Sequence, residues 1–393
     1  MKLSEDPVLP PIVAMPAHKT YPALAPVMPT TPVTQPFMPP LDEYLPFLET
    51  IWANRWLTNS GPFHQELERA LERHLGVEHL SLVSNGTTAL WIALQAAKVG
   101  GEVITTPFSF VATAHALRLV GATPVFVDID EEDCNLAPAG IEAAITERTS
   151  AIMPVHCFGH PCDVDAIEQI SDCYDLKVIY DAAHAFGVRT EGESVLRRGD
   201  FSVLSFHATK VFNTVEGGAI VSPDARTKAK VDRLRNFGFV GDTVMSSASI
   251  NGKLNELQAA FGLLQLRYID ELIARRARIS ARYHEALADI DGLAPFRMAG
   301  GTTPNHSYFP ILVSDDYPLD SDELCRALQS AGILARRYFH PLICDMPGYR
   351  DLPSARQPLP VARRIARQIL CLPIHPNLGD DLLERTIGIL HHA

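Results

Sequence analysis

The chain has 393 residues, of which 47% are hydrophobic and 20% are charged. This length predicts two domains, or one large α/β domain with a smaller partner, and the composition excludes a globally disordered chain. The formal net charge of −12 argues against a non-specific nucleic-acid binder, which needs a basic face. Seven scattered cysteines without a CxxC pair indicate a reduced, cytoplasmic protein, and no apolar run approaches the length of a membrane-spanning helix.

The first forty residues are rich in proline and hold 11 of the 30 prolines of the chain. Because proline removes a backbone donor and disrupts regular helices, residues 1–32 are predicted to form an extended N-terminal arm. This arm is either a dispensable tail or a segment that lies along a partner molecule.

Helical and strand-like segments alternate from residue 41 to about residue 222. Apolar spacing predicts helices over 41–56, 63–76, 87–98 and 164–175. Seven short β-rich runs lie around these helices: HLSLVS, GEVITT, TPVFVDID, TSAIMPVH, LKVIYDAA, FSVLSFH and GGAIVS. This alternation predicts an α/β fold in which helices cover both faces of a mostly parallel sheet.

The C-terminal part of the chain has a different pattern. A long helix is predicted over 255–290, and after it strand signals such as SYFPILVS mix with helical segments such as SDELCRALQSAG. The long helix is a plausible domain boundary. We therefore predict a large domain over 33–268 and a smaller α+β domain over 269–393.

Chemically active side chains follow several of the predicted strands, where ligands bind in open α/β sheets. Ser84–Thr88 opens a helix and favours an anion, although an ordinary capped helix start is the alternative. Asp181 ends an apolar strand, where a carboxylate either needs a cationic partner or caps a helix. Lys210 follows another apolar strand, where it is either a desolvated amine able to form a Schiff base or a surface lysine.

Taken together, these groups match the needs of one cofactor, pyridoxal 5′-phosphate. This cofactor requires a lysine for its aldehyde, an acid beside its ring nitrogen, a cup for its phosphate and a flat group against its ring. No metal is expected. Residues 156–163 are dense in metal-ligand types, but they lack a second ligand cluster and are predicted to be a loop.

Eight strings occur in the order and spacing of one known family and cover about residues 33–393. They are SNGTTAL, PFSFVATAHA, GATPVFVDID, AIMPVH, DAAHAFG, GDFSVLSFHATK, EGGAIVS and NELQAAFGLLQL. In these strings the chain resembles the DegT–DnrJ–StrS family. The resemblance implies a fold-type I, pyridoxal-phosphate-dependent sugar aminotransferase with a seven-stranded sheet.

The resemblance also implies roles for individual residues. Lys210 matches the Schiff-base lysine, and Asp181 matches the partner of the pyridinium nitrogen. Ser205 matches a phosphate ligand, and Gly86 and Thr87 match the turn of the phosphate cup.

Three further matches concern the cofactor ring and a second subunit. Phe110 matches the aromatic residue that stacks on the cofactor ring, and His184 stands where many family members have glutamine, near the phenolic oxygen. A neutral imidazole also donates a hydrogen bond, so this departure is modest. Asn251 matches a residue that reaches the neighbouring phosphate across a dimer interface. A homodimer with shared active sites is therefore implied.

The strings RWLTNSGPFHQELE, YDAAHAFGV, FHATKVFNTVEGGAI and RNFGF are similar to those of the family's dTDP-4-amino-4,6-dideoxyglucose transaminases. This similarity implies transfer of the amino group of L-glutamate to dTDP-4-keto-6-deoxyglucose. A 3-keto sugar, or a GDP- or UDP-linked sugar, stays open as the acceptor. A sugar dehydratase, in which histidine replaces the lysine, and a non-catalytic scaffold are disfavoured because Lys210 and Asp181 are present.

Several basic residues allow more than one interpretation. Arginines at 275, 276 and 278 are predicted to lie on a solvated helix face, with anion or partner binding as the alternative. Either Arg336 or Arg337 is a candidate for the substrate carboxylate, which small-domain basic groups often contact in this fold type. His306 belongs either to the core or a loop, or to the substrate site.

Overall fold

A computed structural model describes residues 30–244 and 248–392. Most of the arm predicted at 1–32 lies outside the described residues. Its last part, Thr31–Pro32, forms a two-residue strand that pairs in parallel with Ile333–Leu334. Within the described ranges, no helix combines the length and the apolar character needed to cross a membrane.

The helices and strands follow the apolar periodicity of the sequence closely. The helices are α1 (Leu41–Asn54), α2 (Pro62–Leu75), α3 (Gly86–Ala97), α4 (Ala112–Leu119), α5 (Ile141–Ala144), α6 (Val164–Tyr174), α7 (Ala225–Leu234), α8 (Glu256–Leu287), α9 (Ser321–Ser330), α10 (Pro360–Gln368) and α11 (Asp380–His392). The strands are β1 (Thr31–Pro32), β2 (Leu80–Val83), β3 (Glu102–Thr105), β4 (Thr123–Phe126), β5 (Thr149–Met153), β6 (Lys177–Asp181), β7 (Arg189–Thr190), β8 (Glu193–Ser194), β9 (Phe201–Ser205), β10 (Gly218–Val221), β11 (Phe239–Val240), β12 (Thr243–Val244), β13 (Leu293–Pro295), β14 (Thr302–Thr303), β15 (Phe309–Val313), β16 (Ile333–Leu334) and β17 (Ile369–Leu372).

A seven-stranded sheet forms the centre of the first part of the described chain, with the strand order β2-β10-β9-β6-β5-β3-β4. Strand β10 runs antiparallel to both of its neighbours, whereas the pairs from β9 to β4 are parallel. All seven β-rich runs of the sequence lie in this sheet. The prediction of an α/β fold with a mostly parallel sheet of seven strands is therefore confirmed.

The long helix predicted over 255–290 is α8, which has 32 residues. It begins after Asn255, whose side chain accepts a hydrogen bond from the amide of Gln258 (3.0 Å). Its first half buries Leu263 in one core with α2, and its second half buries Tyr283 in the core of the C-terminal sheet. The domain boundary at 268/269 falls inside this helix and stays a prediction.

The C-terminal part of the chain is built on a three-stranded antiparallel sheet with the order β13-β15-β17. The predicted strand SYFPILVS contains β15, and the predicted helix SDELCRALQSAG contains α9. Apolar residues of α8, α9 and α11 form a common core with this sheet. This arrangement places the residues just before β15 next to the large sheet.

Candidate active site

The register of the central sheet brings the ends of β2 and β9 together. Gly218, the first residue of β10, pairs with both Val83 and Ser205. The carboxyl ends of β2 and β9 therefore lie on either side of the start of β10. Gly86 follows β2, and a Cβ atom on it would lie only 2.9 Å from the Cβ of Ser205. A glycine is thus needed for the start of α3 to lie this close to Ser205.

The start of α3 has the properties of an anion-binding cup. Asn85 caps the helix by accepting a hydrogen bond from the amide of Thr88 (2.8 Å). Among the residues described, no acceptor is found for the amides of Gly86 and Thr87. These amides, the helix dipole and the adjacent Ser205 hydroxyl together favour a phosphate-sized anion.

Asp181 is a buried carboxylate at the end of β6. It accepts hydrogen bonds from the hydroxyl of Thr113 (2.8 Å) and from the amide of Ala183 (3.2 Å). Burial raises its pKa, while these hydrogen bonds and the charge of Lys210 oppose the rise. It forms no ion pair with any described residue. The ionised form would therefore be stabilised by a cationic ligand group.

Lys210 lies half-buried in the turn that follows β9. Its Nζ lies 5.9 Å from the centre of the Tyr308 ring. Burial lowers its pKa from the ordinary value of 10.5 to about 8, although the charge of Asp181 opposes this change. A larger fraction of this amine is therefore unprotonated at neutral pH than for a surface lysine, which makes it a better nucleophile.

His184 is buried beside Lys210 as a neutral imidazole. Burial, followed by the charge of Lys210, holds its pKa well below the usual range. Its Nδ1 accepts a hydrogen bond from the amide of Phe158 (3.2 Å), so the proton of the neutral ring is on Nε2. The ring lies parallel to that of Phe339, with 6.1 Å between the ring centres. His184 thus offers a fixed Nε2–H donor.

Phe110 and Asn251, the other two predicted cofactor residues, have exposed side chains. The Phe110 side chain is 61% exposed, and its carbonyl accepts a hydrogen bond from the amide of Thr113 (3.2 Å) in the first turn of α4. Asn251 is exposed and forms an isolated β-bridge with Asn236. Their roles in stacking and in reaching a second subunit stay predictions.

The chain matches the model of the DegT/DnrJ/EryC1/StrS aminotransferase family over residues 42–391. The protein belongs to this family. This aminotransferase is 53% identical over 358 residues to the dTDP-4-amino-4,6-dideoxy-D-glucose transaminase of Shigella dysenteriae, with 91% of this chain and 97% of that protein covered. It is 49% identical over 363 residues to the Escherichia coli enzyme of the same name, with 92% and 98% covered.

A solved structure of DesI in the presence of its TDP-sugar product has the same fold. Its TM-score is 0.89 at 35% sequence identity, with 93% of each chain covered. The predicted family, the fold-type I architecture and the aminotransferase class are therefore confirmed.

The residues of this aminotransferase fit pyridoxal phosphate. The start of α3 at Gly86 lies close enough to Ser205 for both to contact one phosphate, and Asp181 is a buried carboxylate able to pair with a pyridinium nitrogen. Lys210 has an amine of lowered pKa, able to react with an aldehyde. The three groups follow β2, β6 and β9, which open at one edge of the sheet.

Sequence reasoning missed two residues that contact the predicted site of this aminotransferase. Thr113 donates to Asp181, and its hydroxyl also lies 2.8 Å from that of Ser109. Tyr308 faces both Lys210 and His184, with 4.8 Å between its ring centre and that of His184. A hydroxyl one turn after the PFSF string was a weak signal for Thr113, whereas nothing in the sequence places Tyr308 beside Lys210.

The segment 156–163 lies at the end of β5. The ring of His156 stacks on that of Tyr180 with 4.8 Å between centres, and Cys162 donates to the carbonyl of Val155 (3.2 Å). Across residues 30–244 and 248–392, no group of three or more histidine, cysteine, aspartate or glutamate side chains is arranged to hold a metal ion.

The prediction of a solvated arginine face on α8 is wrong for Arg276. Arg275 pairs with Glu271 at the surface, and Arg278 is exposed. Arg276 is only 2% exposed and donates to the carbonyl of Ile374 (2.8 Å). It is buried because the second half of α8 packs against the C-terminal sheet, which the spacing of charges within one helix does not reveal.

The two arginines before β17 have different surroundings. Arg337 pairs with Asp322 and donates to the carbonyl of Ala366 (2.8 Å). Arg336 lies over the ring of Tyr338, with 5.2 Å between the guanidinium carbon and the ring centre. Tyr338 in turn contacts Tyr308 edge-on at 5.4 Å. Arg336 is therefore linked through the Tyr338 ring to Tyr308 beside Lys210. Arg337 instead connects α9 with α10.

Proposed function

We propose that this protein transfers the amino group of L-glutamate to a nucleotide-linked keto-deoxy sugar, with pyridoxal phosphate as cofactor. The acceptor that we favour is dTDP-4-keto-6-deoxyglucose, which gives dTDP-4-amino-4,6-dideoxyglucose. The observation that carries this proposal is the pair of Lys210 and Asp181 at one sheet edge, in a chain about half identical to enzymes named for that product.

One set of residues binds the cofactor through its ring nitrogen and its phosphate. Pyridoxal phosphate supplies the electron sink and the temporary carrier of the amine. Asp181 holds the proton of the ring nitrogen and keeps that nitrogen positive. The amides of Gly86 and Thr87, with the Ser205 hydroxyl, bind the phosphate.

The remaining groups position the reactants and move protons. With the cofactor bound, the amine of Lys210 would move a proton between the α-carbon of the amino acid and the cofactor carbon that carries the amine, and it would run the same shift backwards for the keto sugar. His184 donates from Nε2 to the phenolic oxygen, and Phe110 covers one ring face. We assign the carboxylate of glutamate to Arg336, because Arg337 is already paired with Asp322.

We further propose that the active unit is a homodimer in the cytoplasm. Support comes from exposed large apolar side chains on and after α1, among them Leu45, Trp52 and Trp56. The exposed side chain of Asn251 is available to reach a second subunit. The seven cysteines are unpaired, as in a reducing compartment. A fully active monomer in sedimentation analysis would contradict the dimer and the role of Asn251.

The experiment that tests the function mixes the purified holoenzyme with L-glutamate and dTDP-4-keto-6-deoxyglucose. We expect a dTDP sugar with an equatorial amine at position 4, identified by mass spectrometry and NMR. Lys210→Ala should produce none. A yellow protein that glutamate bleaches but that leaves this sugar unchanged would direct the search to 3-keto, GDP-linked or UDP-linked sugars. A deoxygenated product would indicate a dehydratase, and a colourless, inert protein would indicate a scaffold.

A further inference from the structure

The turn that precedes β15 contacts the loop that carries His184. Asn305 lies in this turn and is only 1% exposed. Its Nδ2 donates hydrogen bonds to the carbonyls of His184 (2.8 Å) and Phe186 (2.9 Å), which lie 121 and 119 positions earlier in the chain. A buried side-chain amide thus connects the C-terminal part of the chain to the loop that follows β6.

The oxygen of the Asn305 side chain holds the turn itself in shape. Its Oδ1 accepts a hydrogen bond from the amide of Ser307 (3.0 Å), which closes a tight turn. The residue in the middle, His306, has a φ of +51°, in the left-handed region that few residues other than glycine occupy. Because such a conformation persists only where its surroundings hold it, we infer that Asn305 fixes both this turn and its distance from the His184 loop.

The carbonyl of His184 receives a second hydrogen bond from the same turn. The hydroxyl of Ser307 lies 2.9 Å from this carbonyl and donates to it. A carbonyl oxygen has two lone pairs, so the bonds from Asn305 and Ser307 use its full capacity. On the side chain, the amide of Phe158 donates to Nδ1 (3.2 Å). Neighbouring segments therefore hold both the backbone and the ring of His184, which fixes the direction of its Nε2–H.

A third segment, the loop after β5, packs directly against these two. A Cβ atom on Gly159 would lie 2.9 Å from the carbonyl oxygen of His184 and 3.1 Å from Oδ1 of Asn305. Gly159 also has a φ of +87°, which residues with a side chain rarely adopt. A glycine is therefore needed for the three segments to meet at the buried amide of Asn305, and this close packing leaves His184 little freedom to move.

We propose that Asn305 is a positioning residue for the amino transfer, because it holds the loop of His184 where Nε2–H can reach the phenolic oxygen of the cofactor. This inference rests on the proposed function, which assigns that donor role to His184. The same turn leads directly into Tyr308, whose ring centre lies 4.8 Å from that of His184 and 5.9 Å from Nζ of Lys210. Asn305 acts through His184 and not on the reactants themselves.

The test replaces Asn305 by serine, which can still accept from the amide of Ser307 but is too short to reach the two carbonyls of the other loop. Gln265→Ala is the control, because Gln265 is equally buried and also donates to a distant backbone carbonyl, that of Phe37 (2.7 Å). The visible band of each holoenzyme is recorded, and kcat is measured by steady-state kinetics. We expect Asn305→Ser to shift the band and to lower kcat about 3- to 5-fold, whereas Gln265→Ala should change neither.

A double-mutant cycle with His184→Leu separates positioning from a general loss of stability. When His184 is already leucine, Asn305→Ser should lower kcat by less than about 1.5-fold and should not move the band further, because the donor that it positions is gone. Equal losses of kcat in the two backgrounds would overturn the proposal. Ser307→Ala removes only one of the two bonds to the His184 carbonyl, should shift the band in the same direction, and takes the place of Asn305→Ser if that variant does not fold.

The absorbance readout also separates this inference from the proposed function, because it needs the bound cofactor but no turnover. An unshifted band and an unchanged kcat in both turn variants, with amination intact, would overturn the positioning role and leave the proposed function standing. A shifted band in a protein that does not aminate the keto sugar would overturn only the proposed reaction.

Discussion

The amine of Lys210 lies where two opposing effects set its acidity. Burial removes water from the ammonium form, and the nearby carboxylate of Asp181 restores part of its stability. The balance leaves a pKa of about 8. An amine of this kind reacts at physiological pH without a separate base to deprotonate it.

This balance predicts the pH dependence of cofactor uptake by the cofactor-free protein. The rate at which Lys210 captures pyridoxal phosphate should rise with pH and level off above a midpoint near 8, because only the neutral amine reacts. Asp181→Asn should move the midpoint lower, because the carboxylate raises the pKa of Lys210. Absorbance of the bound cofactor measures the rate. A midpoint near the ordinary lysine value of 10.5 would contradict the burial effect.

His184 gives a second prediction at this scale. His184→Gln keeps a neutral donor and should retain most of the activity, whereas His184→Leu should lower kcat by roughly 5- to 10-fold through the loss of one hydrogen bond. The visible band of the bound cofactor should shift in the leucine variant only. Equal behaviour of the two variants would mean that Nε2 of His184 has no partner in the working enzyme.

At the scale of the structural elements, the side chain of Glu68 in α2 connects this helix with β2 and α7. Its carboxylate accepts hydrogen bonds from the amide of Leu82 (3.0 Å) and from Arg235 (2.7 Å), and it pairs with Lys228 (3.4 Å). Burial would raise the pKa of Glu68, but the hydrogen bond from His64 and the charges of Arg235 and Lys228 outweigh it and hold this pKa well below its usual range. The network therefore connects α2 and α7 with β2, the strand that leads to Gly86.

Glu68→Gln should lower the free energy of unfolding by about 3 kcal/mol at pH 7, because it breaks a largely buried ion pair. The control is Glu66→Gln on the exposed face of α2, with an expected change below about 0.5 kcal/mol. The folded-state pKa of Glu68 lies below the unfolded value of 4.5. Its stabilisation is therefore complete above pH 4.5 and lost as the pH falls through the folded-state pKa. Urea unfolding should show the two proteins converging on acidification, and a constant gap would contradict this.

The elements themselves were largely predictable from the sequence, whereas several contacts between them were not. Leu67, Leu71 and Leu75 recur at helical spacing, and α2 begins and ends within one residue of its prediction. The partner of Asp181 was not predicted, because Thr113 lies 68 positions away and only the packing of α4 brings it near. The burial of Arg276 was missed for the same reason, since periodicity within one helix does not say what packs against it.

At the scale of the whole molecule, α8 belongs to two hydrophobic cores. Its first half packs with α2 beside the large sheet, and its second half packs on the sheet that contains β15. Because helix formation is cooperative, unfolding of one half of α8 destabilises the other half. Loss of packing in one core should therefore destabilise the other core as well. The two lobes are therefore expected to unfold together.

Calorimetry of proteins altered in the middle of α8 tests this coupling and the boundary predicted at 268/269. The unaltered protein should show one cooperative transition. Ala274 is exposed, so Ala274→Pro should break the helix at a cost of about 3 kcal/mol and separate the transition into two. Ala274→Gly, the control, should cost about 1 kcal/mol and keep a single transition. Two transitions in the unaltered protein would contradict the coupling.

The length of α8 also has a mechanical consequence. Its 32 residues form a rod about 48 Å long. If the end beside the large sheet stays fixed, a pivot of about 5° moves the far end by about 4 Å, by the geometry of a rigid helix of that length. The far end carries His284 and packs on β15, which follows Tyr308 directly. A small change in the angle of α8 at its fixed end would therefore change the distance between the Tyr308 ring and the amine of Lys210.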